Sequence, residues 1–234
     1  MTKKLQHIAI IPDGNRRWAK QKGKPLFEGH RYAADHTIPQ LYDTVMELGV
    51  SYCTIWALSP ENYSKRSKVE IQNLLQLLHL FLYKHIDEMN EKGIRVNIIG
   101  NTEVFPEKIQ KDLAFALSKT RNNTKLTLTF ALNYGGRDEI IRAIHKVQSS
   151  IRKLTGKAQH IGKDEFESFL DTADIPDPDL IIRTGGEKRT SGFMLWQAEY
   201  AEYAFLDMMF PDFSPKDLRT CVAGFYNRQR RFGK

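Results

Sequence analysis

Six short apolar runs, separated by segments of helical period, constrain this chain more than any other feature. They are LQHIAII, SYCTIWALS, IRVNIIG, KLTLTFALN, DLIIRT and AEYAFLDMM. Each is too short for a buried helix, and most are rich in β-branched and aromatic residues, which predicts strands. Between and after them lie Asn15 to Lys22, Tyr32 to Leu48, KVEIQNLLQLLHLFLYKHIDEMNEKG, PEKIQKDLAFALSKT, GRDEIIRAIHKVQSSIRKL and SPKDLRTCVAGFYNRQRRF. Apolar residues recurring at three- and four-residue steps mark such segments as helices; Pro106 suits a first turn and Ser214 a cap. The alternation predicts an α/β fold: a single domain over residues 1–234 around a central, mostly parallel six-stranded sheet flanked by helices. A length of 234 residues with 41% hydrophobic content supports one core, and no repeat or linker divides it.

In an open parallel sheet, ligands bind beyond the carboxyl ends of the strands. Four of the six runs end in Asp13-Gly14-Asn15-Arg16-Arg17-Trp18, SPENYSKR, NYGGRDE and RTGGEKRTSGF, and each of these segments holds an arginine. Glycines let backbone approach a ligand, helix N-termini present N–H groups, and guanidinium forks bind phosphate oxygens in pairs. One such turn is an ordinary turn with solvated arginines; four on one rim point to a polyphosphate site. The G-x-x-x-x-G-K-[ST], G-x-G-x-x-G and D-D-x-x-D patterns are all missing, which argues against a P-loop ATPase, a dinucleotide enzyme and a trans-type prenyl synthase. Asp13 heads the first phosphate-facing turn and is the best candidate to share Mg²⁺ with a diphosphate. Glu202 lies between apolar and aromatic residues; on position alone it reads as a structural hydrogen bond.

The net charge of +7 suits anionic partners, while no nucleic-acid module pattern appears. Cys53 and Cys221 match no metal spacing and read as buried thiols in a reducing, cytoplasmic protein. The N-terminal apolar run is too short for a signal peptide, and no run approaches the ~20 apolar residues of a membrane span. The helix from Glu70 to Met89 is more apolar than one stripe requires: Leu77, Leu80 and Phe81 widen it. Core packing and the wall of a hydrophobic tunnel both account for that.

Taken together, HIAIIPDGNRRWAK, Gly29-His30, LSPENYSKRS, ALNYGGRDEI, PDPDLIIRTGGEKRTSGFMLWQAEYAEYAF and RRFG, in this order from His7 to Gly233, are specific. The chain resembles the cis-prenyltransferase family, the undecaprenyl (polyprenyl) diphosphate synthases. The resemblance implies Mg²⁺-dependent condensation of isopentenyl diphosphate onto an allylic diphosphate, farnesyl or geranylgeranyl, to give a Z-polyprenyl diphosphate that serves as precursor of a glycosyl carrier lipid. It also implies a hydrophobic tunnel walled by the long helix, a homodimer, and peripheral membrane contact for product release. Carried over by position, Asp13 and Asn62 are catalytic, and Asp13 and Glu202 bind metal. Gly14, Asn15 and Arg17 match the phosphate-cradling turn, with Arg16 and Trp18 in the same element. His30, Ser59, Glu61, Tyr63 and Arg66 extend the substrate site, and Arg183, Arg189 and Ser191 match the isopentenyl diphosphate site.

The chain departs from the family pattern in places. The usual E-N-W-x-R-P is here E-N-Y-S-K-R-S, so either Lys65 or Arg66 fills the basic role, and Arg66 is favoured. Leu26 stands where an arginine commonly precedes G-H, and Arg16 replaces a common glycine. These changes leave open an alternative on the same fold, the irregular, branched coupling of allylic diphosphates.

Overall fold

The computed structural model describes residues 4–154 and 161–228. The RRFG motif and most of the basic C-terminal tail lie outside the described residues. The strands are β1 (His7–Ile11), β2 (Tyr52–Leu58), β3 (Ile94–Ile99), β4 (Leu126–Leu132), β5 (Leu180–Arg183) and β6 (Glu202–Phe205). They form one sheet in the order β3-β4-β2-β1-β5-β6, and every neighbouring pair is parallel. All six apolar runs are therefore strands, and the sheet is wholly rather than mostly parallel.

The two faces follow from the period of two along each strand. Ile8 and Ile10 of β1, with Leu180 and Ile182 of β5, face the larger core; Ala9, Ile11 and Ile181 face a smaller one. Against the larger core pack α3 (Ile38–Glu47), α5 (Lys68–Glu91), α6 (Glu107–Thr120) and α9 (Pro215–Asn227), through side chains such as Tyr42, Leu82, Leu113 and Phe225. The chain winds from β1 to one side of the sheet and returns to its other side at β5, which makes the carboxyl end of β1 the switch point where a crevice opens. No helix among the described residues is long and apolar enough to cross a membrane.

Three local features differ from the sequence reading, and all border the crevice. The helical run expected from Tyr32 begins earlier, with α2 (Glu28–Tyr32), and passes through a π-turn at Ala33–Thr37 before α3. Pro39 has no N–H to offer the Asp35 carbonyl one turn back, a standard cause of such a widening. The pairing of β2 with β4 shifts register between Trp56 and Leu58, a bulge that re-aims the end of β2. A short α4 (Pro60–Lys65) follows β2, capped by the Ser59 hydroxyl, which accepts from the Asn62 N–H at 3.1 Å. The remaining helices are α1 (Asn15–Gln21), α7 (Gly136–Leu154) and α8 (Lys163–Glu167).

Candidate active site

The turn after β1 is built around a glycine that tolerates no side chain. Gly14 has φ +104°, and a Cβ there would lie 2.6 Å from the Met209 sulfur. The turn is pinned from two sides: the Asp13 carbonyl accepts the Phe210 N–H at 3.0 Å and the Thr184 hydroxyl at 2.8 Å. Its carboxylate then stands between two arginines. Arg17 Nη2 donates to Oδ1 at 3.0 Å, and Arg183 Nη2 to Oδ2 at 2.8 Å. Arg17 also donates to the Gly185 carbonyl, and Arg183 Nη1 donates to the Arg189 carbonyl and the Ser191 hydroxyl at 2.6 and 2.8 Å.

Arg183 is 5% exposed, and its Nε has no hydrogen-bond partner among the described residues. Burial pushes the Asp13 carboxyl up, but the Arg183 and then the Arg17 guanidiniums outweigh it, so the group lies below the usual carboxylate range and is ionised at neutral pH. Two guanidiniums around one carboxylate leave a surplus positive charge at the crevice.

This cluster forms part of the mouth of a cavity of about 510 Å³. Around it the same mouth is lined by Gly14, Asn15, Arg16 and His30, by Ser59, Glu61, Asn62 and Arg66, and by Ser191. The body is apolar. Leu74, Leu77, Leu78 and Phe81 of α5 face Ala33, Ala34 and Ile38 of the π-turn region, with Ile55, Ala57 and Leu58 of β2. The bulge lets the consecutive residues Ala57 and Leu58 both reach this wall. Helix α5 thus serves both roles open in the sequence: Leu82, Ile86 and Met89 are buried in the core, while Leu74, Leu75, Leu77, Leu78 and Phe81 wall the cavity and Leu80 is exposed. One space joins an arginine-rich end to an apolar body.

His30 reaches the mouth because Gly29 lets α2 touch α1: a Cβ at Gly29 would fall 1.9 Å from the Asn15 carbonyl oxygen. Burial, then the Arg66 and Arg16 guanidiniums, hold the His30 pKa down at about 4, so the imidazole is neutral at pH 7. Of the two basic residues in the second loop, Arg66 lines the cavity and Lys65 does not.

Trp18, Tyr63, Arg189 and Glu202 do not line it. Trp18 is buried and donates from Nε1 to Asp212 at 2.8 Å, so it fastens α1 to the segment that carries Phe210. Tyr63 turns away from the cavity toward the edge of the larger core, where it donates to the Val104 carbonyl and packs on Phe105. The Arg189 guanidinium pairs with Glu187, while its carbonyl holds Arg183.

Glu202 opens β6 and accepts from Arg228 at 2.9 Å. Its register partner is Leu180, whose partner in β1 is Ile8, five residues before Asp13. At the rise of a parallel strand that is roughly 17 Å along the sheet, so one chain does not bring Glu202 and Asp13 together. Among the described residues no three His, Cys, Asp or Glu side chains converge as a metal cage. The site also uses Thr184, Gly185, Met209 and Phe210, which sequence reasoning passed over. For the first two the signal was present in the RTGG turn; for the others there was none.

An all-parallel α/β sheet with an arginine-flanked carboxylate at the mouth of an apolar tube defines a prenyltransferase-type site. A family model described as "Putative undecaprenyl diphosphate synthase" matches residues 11–233. The chain is 44% identical to the isoprenyl transferase of Clostridium perfringens, covering 97% of this chain and 89% of that one. It is 43% identical to the (2E,6E)-farnesyl-diphosphate-specific ditrans,polycis-undecaprenyl-diphosphate synthase of Micrococcus luteus, covering 97% and 91%. Lavandulyl diphosphate synthase from Lavandula x intermedia, solved in complex with dimethylallyl diphosphate, superposes with a TM-score of 0.93 at 34% identity over 98% of both chains. The chain belongs to the undecaprenyl diphosphate synthase family of cis-prenyltransferases.

Proposed function

We propose that this enzyme condenses isopentenyl diphosphate onto an allylic diphosphate, farnesyl or geranylgeranyl diphosphate, to give a Z-polyprenyl diphosphate for a glycosyl carrier lipid. The observation that carries the reading is the cavity: the surplus charge of Asp13, Arg17 and Arg183 at its mouth opens onto an apolar body. In the reaction the allylic C–O bond breaks, the isopentenyl double bond supplies the electrons of the new C–C bond, and a proton leaves to set the new alkene. That proton ends on the released diphosphate.

Arg17, Arg183 and Ser191 hold diphosphate oxygens. Asn15 and Asn62 orient the reacting ends at the mouth, and Leu74, Leu78 and Phe81 receive the growing chain and exclude water. Mg²⁺ fits this donor set. Each Asp13 carboxylate oxygen that accepts a guanidinium keeps a second lone pair, and the nearby Asn15 Oδ1 is buried with no partner among the described residues. Mg²⁺ needs only one or two carboxylates beside substrate phosphates; bound there it neutralises the departing diphosphate. Glu202 joins that metal only if a second chain brings it, which is the form the homodimer takes in this proposal. A cytoplasmic enzyme with peripheral membrane contact on release of a long lipid completes the reading.

The test is incubation with Mg²⁺, farnesyl diphosphate and labelled isopentenyl diphosphate, with products resolved by chain length. Failure to elongate any allylic primer refutes the proposal. A second reading, irregular coupling of two allylic diphosphates, is favoured by the likeness to lavandulyl diphosphate synthase and by Leu26. Product formed from dimethylallyl diphosphate alone would select it.

A further inference from the structure

The positive charge of the chain is not spread evenly. Residues 16–32 hold six arginines and lysines against one acid, Glu28, and residues 64–70 hold three against Glu70. Their joint surplus of +7 equals the net charge of the whole chain, so the remaining residues balance. The fold sets these two segments side by side. Leu26 and Phe27, in the connection from α1 to α2, share the lining of a second hollow with Glu70 and Asn73 of α5, and Arg16 approaches Glu70 at 3.5 Å. Arg16, His30, Arg66 and Leu74 line both this hollow and the main cavity, so the basic surface borders the cavity mouth.

Part of that charge is already engaged. Arg17 holds Asp13, and Arg31 pairs with Glu28 at 2.7 Å. Lys20, Lys22, Lys24, Lys65 and Lys68 stand exposed around the mouth, and every residue from Lys20 to Leu26 is exposed. Among these cations are apolar groups that charge alone makes no use of. Leu26 is 41% exposed, Tyr32 40% and Val69 65%. The Tyr32 ring is held in place between Trp18 and His36, at centroid distances of 4.9 and 4.7 Å, and Lys24 Nζ lies 5.5 Å over the Trp18 ring.

Lysines with an ordered tyrosine and aliphatic tips between them match the layers of a bilayer surface. Ammonium groups meet anionic headgroups, the aromatic ring sits at headgroup level, and the aliphatic groups enter the acyl boundary. Duplex nucleic acid matches the charge but leaves Leu26 and Val69 uncovered. We propose that this face, Lys20 to Tyr32 with the start of α5, docks on a bilayer rich in anionic phospholipid, so that the cavity mouth opens against the membrane. The inference rests on the prenyl-elongation reading above and gives its membrane contact a place. A prenyl chain that leaves the cavity there enters lipid without crossing water.

The test is co-sedimentation of the full chain with vesicles of equal parts phosphatidylglycerol and phosphatidylcholine, beside vesicles of phosphatidylcholine alone. The chain binds the anionic vesicles and is released as salt rises. A lysine near such a surface contributes about fivefold, so Lys20→Gln/Lys22→Gln/Lys24→Gln lowers partition about 10²-fold. Leu26→Gln lowers it about tenfold. Both variants melt with the wild type. The control, Lys4→Gln/Arg121→Gln/Lys125→Gln, removes the same charge from exposed positions that precede β1 and β4, at the opposite end of the sheet, and keeps most of the binding. No binding to anionic vesicles, equal binding to phosphatidylcholine alone, or an equal loss in the control overturns the proposal, as does duplex DNA bound more tightly than the vesicles. Vesicle binding without elongation of any primer supports the face and defeats the proposed reaction; elongation without vesicle binding defeats the face alone.

Discussion

The contact between Gly29 and Asn15 offers a sharp test of how the site is held. In Gly29→Ala the new Cβ would sit 1.9 Å from the Asn15 carbonyl oxygen and 2.6 Å from its carbon. Both obstacles are backbone, so no side-chain rotation relieves them. To move from 1.9 Å to the 3.4 Å of an ordinary contact, α2 and α1 must part by about 1.5 Å. Asn15 and His30 both line the cavity mouth, so the separation passes straight into it.

Overpacking of this kind costs about 2 kcal/mol. For a chain of this size that lowers the melting temperature by roughly 4–8 °C, and displacement of binding groups by an ångström or more lowers turnover about 10²-fold. Gly224→Ala is the control: it lies within α9, and its Cβ would meet nothing within 4 Å. It should stabilise by roughly 0.5–1 kcal/mol and leave turnover alone. Calorimetric melts and single-turnover elongation read both effects. Gly29→Ala that melts with the wild type and turns over at its rate refutes the claim that this contact sets the mouth.

Asp13→Asn keeps the shape of the turn but removes the counter-charge of buried Arg183, so it should destabilise by about 3 kcal/mol in urea melts and abolish Mg²⁺-stimulated elongation; unchanged stability would show that Asp13 is not that counter-charge. His7 is fully buried; its Nδ1–H donates to the Pro176 carbonyl, its Nε2 accepts from the Thr54 hydroxyl, and burial holds its pKa at about 4 against 6.5 when unfolded. The unfolded chain then binds more protons between those values, so the full contribution is present above pH 6.5, and roughly 3 kcal/mol is lost as pH falls to 4. Urea midpoints measured across that window should slope upward with pH, and the slope should flatten in His7→Gln. Phe81→Ala removes a ring that meets Phe130 edge-on at 5.6 Å in the cavity wall. It should cost about 3 kcal/mol or more and lengthen the products resolved by chromatography; unchanged lengths would remove Phe81 from the path of the growing chain.

Much of the site was legible because its chemistry is concentrated in short contiguous turns. Asp13, Arg17, Arg183 and Ser191 announce themselves after apolar strands, and the structure brings all four into hydrogen-bonding contact. Trp18 and Tyr63 share motifs with cavity residues yet point elsewhere, because neighbours on one helix face different ways. Asp212 and the Val104 carbonyl, far off in sequence, claim their polar ends. The place of Glu202 was not legible for a similar reason: its motif follows the RTGG turn in sequence, but the register of β6 sets it at the level of Ile8.

By itself the sequence determined the parallel sheet, the end of it at which the arginine-bearing turns gather, and the acid-and-arginine composition of that rim. Hydrophobic periodicity and turn chemistry are local, and they are written in adjacent residues. Only the tertiary structure decided which apolar residues of α5 wall a cavity and which fill the core, and that Arg16 turns toward Glu70 in a second hollow. Those outcomes depend on a bulge, a π-turn and the close approach of two helices at Gly29. Each arises from packing between segments distant in the chain, where no local pattern records the result.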